Sequence, residues 1–382
     1  MSNEIDPIAD VEVVRAVGRL AILVNSETPS RDVAALRAGI DRLVPMVRES
    51  LGREPEILAL DGGVPALLLR ATAQPAVLLL CHLDTVWPLG SLADHPFSAA
   101  DGRATGPGGF DMKAGIVIGL AAIEAIEAPG ARDHVTLLVT CDEEVGSAAS
   151  RALLERVAMD AIAVLVLEGS GPGGALKEAR KGISMYDLEI TGRAAHAGLE
   201  PERGINATAE LAHLVLDIAG LGDPALGTTV TPTMASSGTS SNTVPAAAHL
   251  AVDVRAWTVD EQLRVDAAIR ARTPAIDGAT VTVHGGINRP PLERERAASL
   301  LELARAVAAA NDLGEVAACA VGGASDGNFT AALGIPTLDG LGAVGGNAHA
   351  SGEWVDLGTI PGRARLIARL VERIVSGVQP PA

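Results

Sequence analysis

Apolar positions along the chain alternate between two patterns, and the alternation outlines a succession of helices and strands. Residues 11–51 carry apolar residues at helical spacing, with Ser30-Arg-Asp as a start signal near a second helix. Glu56 to Leu60 and Pro65 to Leu69 read as short strands joined by Asp61-Gly-Gly. Ala76 to Cys81 is an unbroken apolar run, as expected of a strand buried on both faces. Met112 to Ala128 returns to helical spacing, His134 to Thr140 is strand-like, Ser147 to Met159 is helical, and Ala161 to Leu167 is the next strand. This order predicts an α/β layer with a mostly parallel sheet.

The pattern changes near Arg180. Ser184 to Thr191 alternates like a half-exposed strand, and Gly204 to Ile218 reads as a helix. Thr228 to Met234 and Ala247 to Val254 are strand-like, Asp260 to Ala271 is helical, and Thr280 to Gly285 is a strand. That is a β-α-β-β-α-β order, the split-βαβ arrangement. It predicts an α+β domain inserted at 181–290 into a parent domain made of 1–180 and 291–382. The parent pattern resumes with a helix at Ala297 to Ala310, a strand at Leu333 to Leu338 and a helix at Pro361 to Val378.

Composition narrows the function. Lys and Arg number 30 against 47 Asp and Glu, a net charge of −17, so the basic footprint of a nucleic-acid binder is missing. Aromatic residues make up 2% of the chain, too few for a base-stacking platform. An anionic membrane surface is an equally poor partner. The three cysteines have no CxxC spacing and fit a reducing compartment. The acidic start, Met-Ser-Asn-Glu-Ile-Asp-Pro, lacks a basic region followed by an apolar one, so a cytoplasmic location is expected.

The candidate chemistry lies where strands end. In open α/β sheets ligands bind at the carboxyl ends of the strands. His82-Leu-Asp84 follows the strand ending at Cys81, Glu143-Glu144 follows the strand ending near Thr140, and Glu168 follows Leu167. Asp111 stands at a helix start after Gly106-Pro-Gly-Gly, and His349 lies in the loop Gly345-Gly-Asn-Ala-His. Two imidazoles and several carboxylates on one sheet edge call for a divalent cation, and N/O donors suit zinc. A carboxylate shared by two ions would make a two-metal site that activates water, with a free carboxylate as general base.

Cys81-His-Leu-Asp-Thr-Val, Gly106-Pro-Gly-Gly-Phe-Asp-Met-Lys, Cys141-Asp-Glu-Glu-Val-Gly-Ser, Leu167-Glu-Gly and His349 together resemble the M20 zinc metallopeptidases. Within that family the likeness is greatest to glutamate carboxypeptidases of the carboxypeptidase G2 type, and it extends over nearly the whole chain. The resemblance implies a zinc-exopeptidase-like catalytic domain with an inserted ferredoxin-like lid and dimerisation domain. It implies two zinc ions, with cobalt or manganese as alternatives. His82 and Glu168 would hold one ion, Glu144 and His349 the other, and Asp111 would bridge them. Glu143 would be the base and later the acid, with Asp84 orienting His82. A cis peptide would follow Asp111.

In the insertion, Gly192-Arg-Ala-Ala-His-Ala-Gly resembles the family segment whose His reaches across a homodimer interface, so His196 would stabilise an oxyanion. Ser241-Asn-Thr-Val-Pro and Asp253-Val-Arg resemble segments that hold a substrate carboxylate, which assigns Asn242 and Arg255. Arg289 would add a second contact, and Gly322-Gly-Ala-Ser-Asp-Gly resembles a substrate loop. Arg180 and Lys181 match the family's substrate positions only loosely. The implied substrate is a small peptide or N-acyl amino acid ending in glutamate.

Other readings compete. His95, His134, His213, His249 and His284 lack a carboxylate motif and read as structural or surface residues; Cys81 and Cys141 read as packed strand residues. Gly323-Ala-Ser-Asp-Gly satisfies GxSxG, with Asp339 and His349 following, which would make Ser325 a hydrolase nucleophile. Gly169-Ser-Gly-Pro-Gly-Gly lacks a full dinucleotide fingerprint and the Lys-Ser/Thr of a P-loop. An N-acyl amino acid deacylase or aminoacylase of the same family, and a non-catalytic binding protein on the same fold, complete the alternatives.

Overall fold

The computed structural model describes residues 7–377, with side chains from residue 11. The chain forms two compact units. The first runs to Ala179 and takes in Arg294–Val321 and the chain from Ser325 onward; the second is Arg180–Glu293 with Gly322–Ala324.

The first unit is built on a mixed sheet. Its strands, edge to edge, are Glu56–Ala59, Pro65–Leu69, Val135–Thr140, Val77–His82, Ala163–Val166 and Thr337–Leu338. The last four run parallel, and the first two form an antiparallel hairpin on one edge. Val77–His82 and Val135–Thr140 are buried along their whole length, which is why their sequences are unbroken apolar runs. Leu78, Leu80, Leu138, Val164 and Val166 pack with Leu153, Leu154, Val157 and Phe329 on one face. The helices Ala114–Glu124 and Ile360–Ser376 lie against the central strand as well. Asp32 caps the helix Val33–Leu51 by accepting from Ala35 N–H at 3.0 Å, which resolves the start signal at Ser30-Arg-Asp.

The second unit has four antiparallel strands in the order Thr229–Ser237, Ala247–Ala256, Gly182–Thr191, Thr280–Arg289. With the helices Ala207–Ala219 and Val259–Arg270 this is a ferredoxin-like β-α-β-β-α-β sheet. Tyr186, Leu188, Ile190, Leu250, Val252 and Val254 form one face and pack on Leu211, Leu214, Val265 and Ile269 of the helices. The alternation read at 184–191 is this division between a covered face and an exposed one.

Three elements differ from expectation. The run Leu333 to Leu338 is a strand only at Thr337–Leu338; a short helix, Gly327–Ala332, precedes it. The helix expected from Met112 starts at Ala114, because Asp111 and Met112 have non-helical backbone angles. The helix expected from Ser147 starts at Arg151, since Ser147 has a φ of 57°. A small sheet of Gly345–Gly346, Trp354–Asp356, Arg103–Thr105 and Ser98–Ala100 was not anticipated; its strands are too short to show a period. Residues 1–6, on which the expected cytoplasmic location partly rests, and Val378 lie outside the described residues. Among the described residues no helix is long and apolar enough to cross a membrane.

Candidate metal centre

Parallel register brings the candidate residues to one edge. His82 pairs with Thr140, and Leu80 pairs with Val166, so His82, the Glu143–Val145 turn and Glu168 all leave the sheet at its carboxyl end. The strand end before Glu168 is tightly held. A methyl group at Gly115 or Gly342 would overlap the Leu167 carbonyl oxygen, and one at Gly169 would overlap the Phe110 ring. These glycines let a helix and a loop close on the segment that carries Glu168.

Asp111 arrives from the Gly-rich turn. Its peptide bond to Met112 is cis, as the resemblance implied. His349 arrives from the loop between Gly345–Gly346 and Trp354–Asp356 and has a φ of 61°. The Asp111 carboxylate reaches both imidazoles, with Oδ1 3.4 Å from His82 Nε2 and Oδ2 3.2 Å from His349 Nε2. His82 Nε2 is also 3.4 Å from Glu168 Oε1, and His349 Nε2 is 3.1 Å from Glu144 Oε2.

These spacings fit a metal. Tetrahedral ligands about 2.0–2.1 Å from zinc stand about 3.3–3.4 Å from one another. His82 Nε2 is buried, has no hydrogen-bond partner among the described residues, and faces two carboxylates. Among the described residues, two groups have ligand atoms within 4.8 Å of one another and could hold an ion: His82 with Asp111 and Glu144, and His82 with Glu143 and Glu168. The donor set is imidazole and carboxylate. Neither Cys81 nor Cys141 belongs to these groups; burial pushes both thiols up, Cys81 inside the strand Val77–His82 and Cys141 not in a strand but just past the end of Val135–Thr140.

Electrostatics point the same way. Burial opposes a charge on His82, yet the carboxylates of Asp111, Asp84 and Glu168 hold its pKa well above the usual value. Asp111 and Glu144 lift His349 to about 10. Burial works against the Asp111 carboxylate, but His349 and His82 hold it well below the ordinary range. Burial raises Glu144 despite His349. A cluster that retains protons in this way has strong demand for positive charge.

Asp84 organises the edge from behind. Its carboxylate oxygens accept from the N–H groups of Glu143 and Glu144, both at 3.2 Å, and Oδ1 lies 3.4 Å from His82 Nδ1. His82 Nδ1 also lies 3.1 Å from the Asp84 carbonyl oxygen, so Asp84 holds the imidazole by its backbone and side chain while its buried carboxylate anchors the Glu143-Glu144 turn. Glu143 is 7% exposed.

The remaining candidates lie in the second unit. His196 pairs with Thr243 in a short ladder, and Ala197 N–H donates to the Asn242 carbonyl at 2.9 Å, so His196 and Asn242 are neighbours. His196 Nδ1 accepts from Gly198 and Leu199 N–H, which puts the imidazole proton on the exposed Nε2. Arg255 and Arg289 both pair with Ile183, from opposite sides of the central strand. Asp253 takes Arg255 Nε and one Nη at 2.8 and 2.9 Å, leaving Nη1 as a donor.

Ser325 does not fit a nucleophile. It is fully buried and donates to Asp339 Oδ2 at 2.6 Å, whereas a nucleophile elbow exposes its Oγ. His134 bonds the Gln74 carbonyl, His95 meets Trp87 edge-to-face, and His249 and His284 face Asp187 and Glu189. One buried residue of the centre was missed. Glu353 accepts hydrogen bonds from three N–H groups of the Gly108–Asp111 turn, and only its closeness to His349 in sequence hints at it.

An α/β unit with imidazoles and carboxylates gathered at the carboxyl edge of its sheet fits a metal-dependent hydrolase. Residues 78–373 match the model of peptidase family M20/M25/M40. The chain is 34% identical over 312 residues to carboxypeptidase G2 of Pseudomonas sp. (strain RS-16), covering 79% of this chain and 74% of that protein. It is 32% identical over 243 residues to the succinyl-diaminopimelate desuccinylase of Paracoccus denitrificans, covering 57% and 62%. The aminopeptidase PepT of Bacillus cereus shares the fold, with a TM-score of 0.73 at 21% identity over 96% of this chain and 98% of that one. The chain belongs to the M20 family and is a metal-dependent peptidase.

Proposed function

We propose that this protein is a two-zinc carboxypeptidase that cleaves the amide next to a C-terminal residue bearing a free carboxylate, glutamate first among them. The observation that carries this is the Asp111 carboxylate, which lies within 3.4 Å of one imidazole and 3.2 Å of another. The similarity to carboxypeptidase G2 supports the substrate class. His82 and Glu168 would hold one ion and Glu144 and His349 the other, with the Asp111 carboxylate available to both. Bound zinc supplies Lewis acidity and lowers the pKa of water from about 15.7 to roughly 7.

The chain's own groups do the rest. Glu143 accepts the proton of the attacking water and returns it to the leaving amine. Asp84 fixes the His82 ring so that Nε2 faces the carboxylates. His196 Nε2–H, offered from a homodimeric partner, stabilises the developing oxyanion. Asn242 and Arg255 anchor the substrate carboxylate, with Asp253 holding the guanidinium by its other edge, and Arg289 adds a contact.

Arg255→Ala is accordingly expected to lower kcat/KM for glutamate-terminated substrates by about 10- to 100-fold, mostly through KM. Substrates amidated at that carboxylate should lose far less. Equal kinetics on the acid substrates would clear Arg255 of the role.

The desuccinylase relative favours one second reading, an N-acyl amino acid deacylase with the same centre. A panel of dipeptides and N-acyl amino acids, assayed with zinc and then with chelator, separates the two. Chelator-sensitive release of C-terminal glutamate is the expected result. Confinement to N-succinyl or N-acetyl substrates would move the protein to the deacylases, and chelator-resistant release would overturn the metal reading.

A further inference from the structure

We infer that Glu353 is a positioning residue of the metal centre, whose carboxylate gathers the backbone of the Gly108–Asp111 turn and so sets the Asp111 side chain between His82 and His349. The inference rests on the metal reading proposed above.

Glu353 is 2% exposed, a costly place for a carboxylate unless its oxygens are satisfied. They are. Oε1 accepts from Phe110 N–H at 2.8 Å and Asp111 N–H at 3.0 Å. Oε2 accepts from Gly108 N–H at 2.9 Å and Trp87 Nε1–H at 3.0 Å. Burial pushes the Glu353 carboxyl up, while these donors pull it back toward the anion.

The turn needs such an acceptor. Gly108, Phe110 and Asp111 lie in the irregular turn ahead of the helix Ala114–Glu124, outside its hydrogen-bond ladder, so their N–H groups need another acceptor. Successive N–H groups in a tight turn form a concave anion site. Here the anion is a side chain from a loop more than 240 residues away in sequence. That loop is the one that carries His349, four positions earlier. The Glu353 carbonyl also accepts from Gly106 N–H at 3.4 Å. One residue thus ties the two loops that present Asp111 and His349, and their ligand atoms stand 3.2 Å apart. No part of Glu353 is needed as a ligand; it works through the Asp111 backbone.

Glu353→Gln tests this with almost no change in volume. The amide NH2 would face two N–H donors that it cannot accept. Zinc affinity of the metal-stripped protein, measured by competition with a chromogenic chelator, is expected to fall about 10- to 100-fold for at least one ion. The rise in Tm on adding zinc should shrink in parallel. Glu353→Asp keeps the charge but withdraws it by one methylene, and should fall between Gln and the wild type. Trp87→Phe removes a donor without touching the Asp111 backbone, and should stay within about threefold of wild type.

A merely structural role would lower the Tm of the zinc-free and zinc-loaded forms alike and leave zinc affinity unchanged. That result in either folded Glu353 variant overturns the inference. If Glu353→Gln does not fold, Glu353→Asp decides on the same measurement. If the wild type itself takes up no zinc, the metal reading fails instead.

Discussion

Glu143→Ala is expected to lose at least about 10³-fold in kcat, about 4 kcal/mol in the barrier, while still binding two zinc ions per chain. The two neighbouring glutamates have been separated by the turn that carries them. Glu144 stands against His349, at 3.1 Å. Glu143 is buried and grouped with His82 and Glu168, its N–H tied to Asp84. A carboxylate in that place is either a proton acceptor or a ligand, and the zinc count separates the two. If Glu143 is the base, removal deletes both of its proton transfers and leaves the ligands in place. Atomic absorption on the purified variant reads the zinc, and glutamate release from an N-acyl glutamate reads turnover. Turnover within tenfold of wild type would remove the base assignment. Loss of one ion with turnover would make Glu143 a ligand.

Most of the centre was legible in the sequence because a parallel sheet places chemistry by rule. His82, Asp84, Glu143, Glu144 and Glu168 each follow an apolar run, and parallel register brings such positions to one edge. Asp111 was legible through its glycines, since a turn rich in glycine ahead of a helix marks a loop held in special geometry. The split-βαβ order of the second unit followed from alternation at Ser184 to Thr191 and its neighbours, where one face is covered and the other is not.

Glu353 escaped for a physical reason. Its partners are backbone N–H groups and one indole, and no residue type in a remote segment announces an N–H without an acceptor. The small sheet beside it escaped because strands of two or three residues have no period to detect, and their partners are far apart in sequence. At Leu333 to Leu338 the apolar residues satisfied a strand pattern, but the preceding residues close a short helix first. Periodicity reports which faces are buried. It does not report where a chain of mostly apolar residues stops turning.

Asp111→Ala is expected to cost more than the loss of any other single ligand: both zinc sites should weaken, and turnover should fall to background. On the proposed arrangement each of the other ligands serves one ion. Glu168 approaches His82 at 3.4 Å, and Glu144 approaches His349 at 3.1 Å. Asp111 alone places one oxygen against each imidazole, Oδ1 at 3.4 Å from His82 and Oδ2 at 3.2 Å from His349. Removing a bridging carboxylate deletes a ligand from both ions and the negative charge that offsets their mutual repulsion at about 3.5–4 Å. His349→Ala is the control, because on the proposed arrangement it takes a ligand from one ion only. It should keep the ion held by His82 and Glu168 with near-normal affinity and lose the other. Zinc titration of the metal-stripped variants reads both. Two tight sites in Asp111→Ala would refute the bridge. Identical losses in Asp111→Ala and His349→Ala would mean that the two ions bind as one cooperative unit, and that the bridge is shared by more of the centre than Asp111.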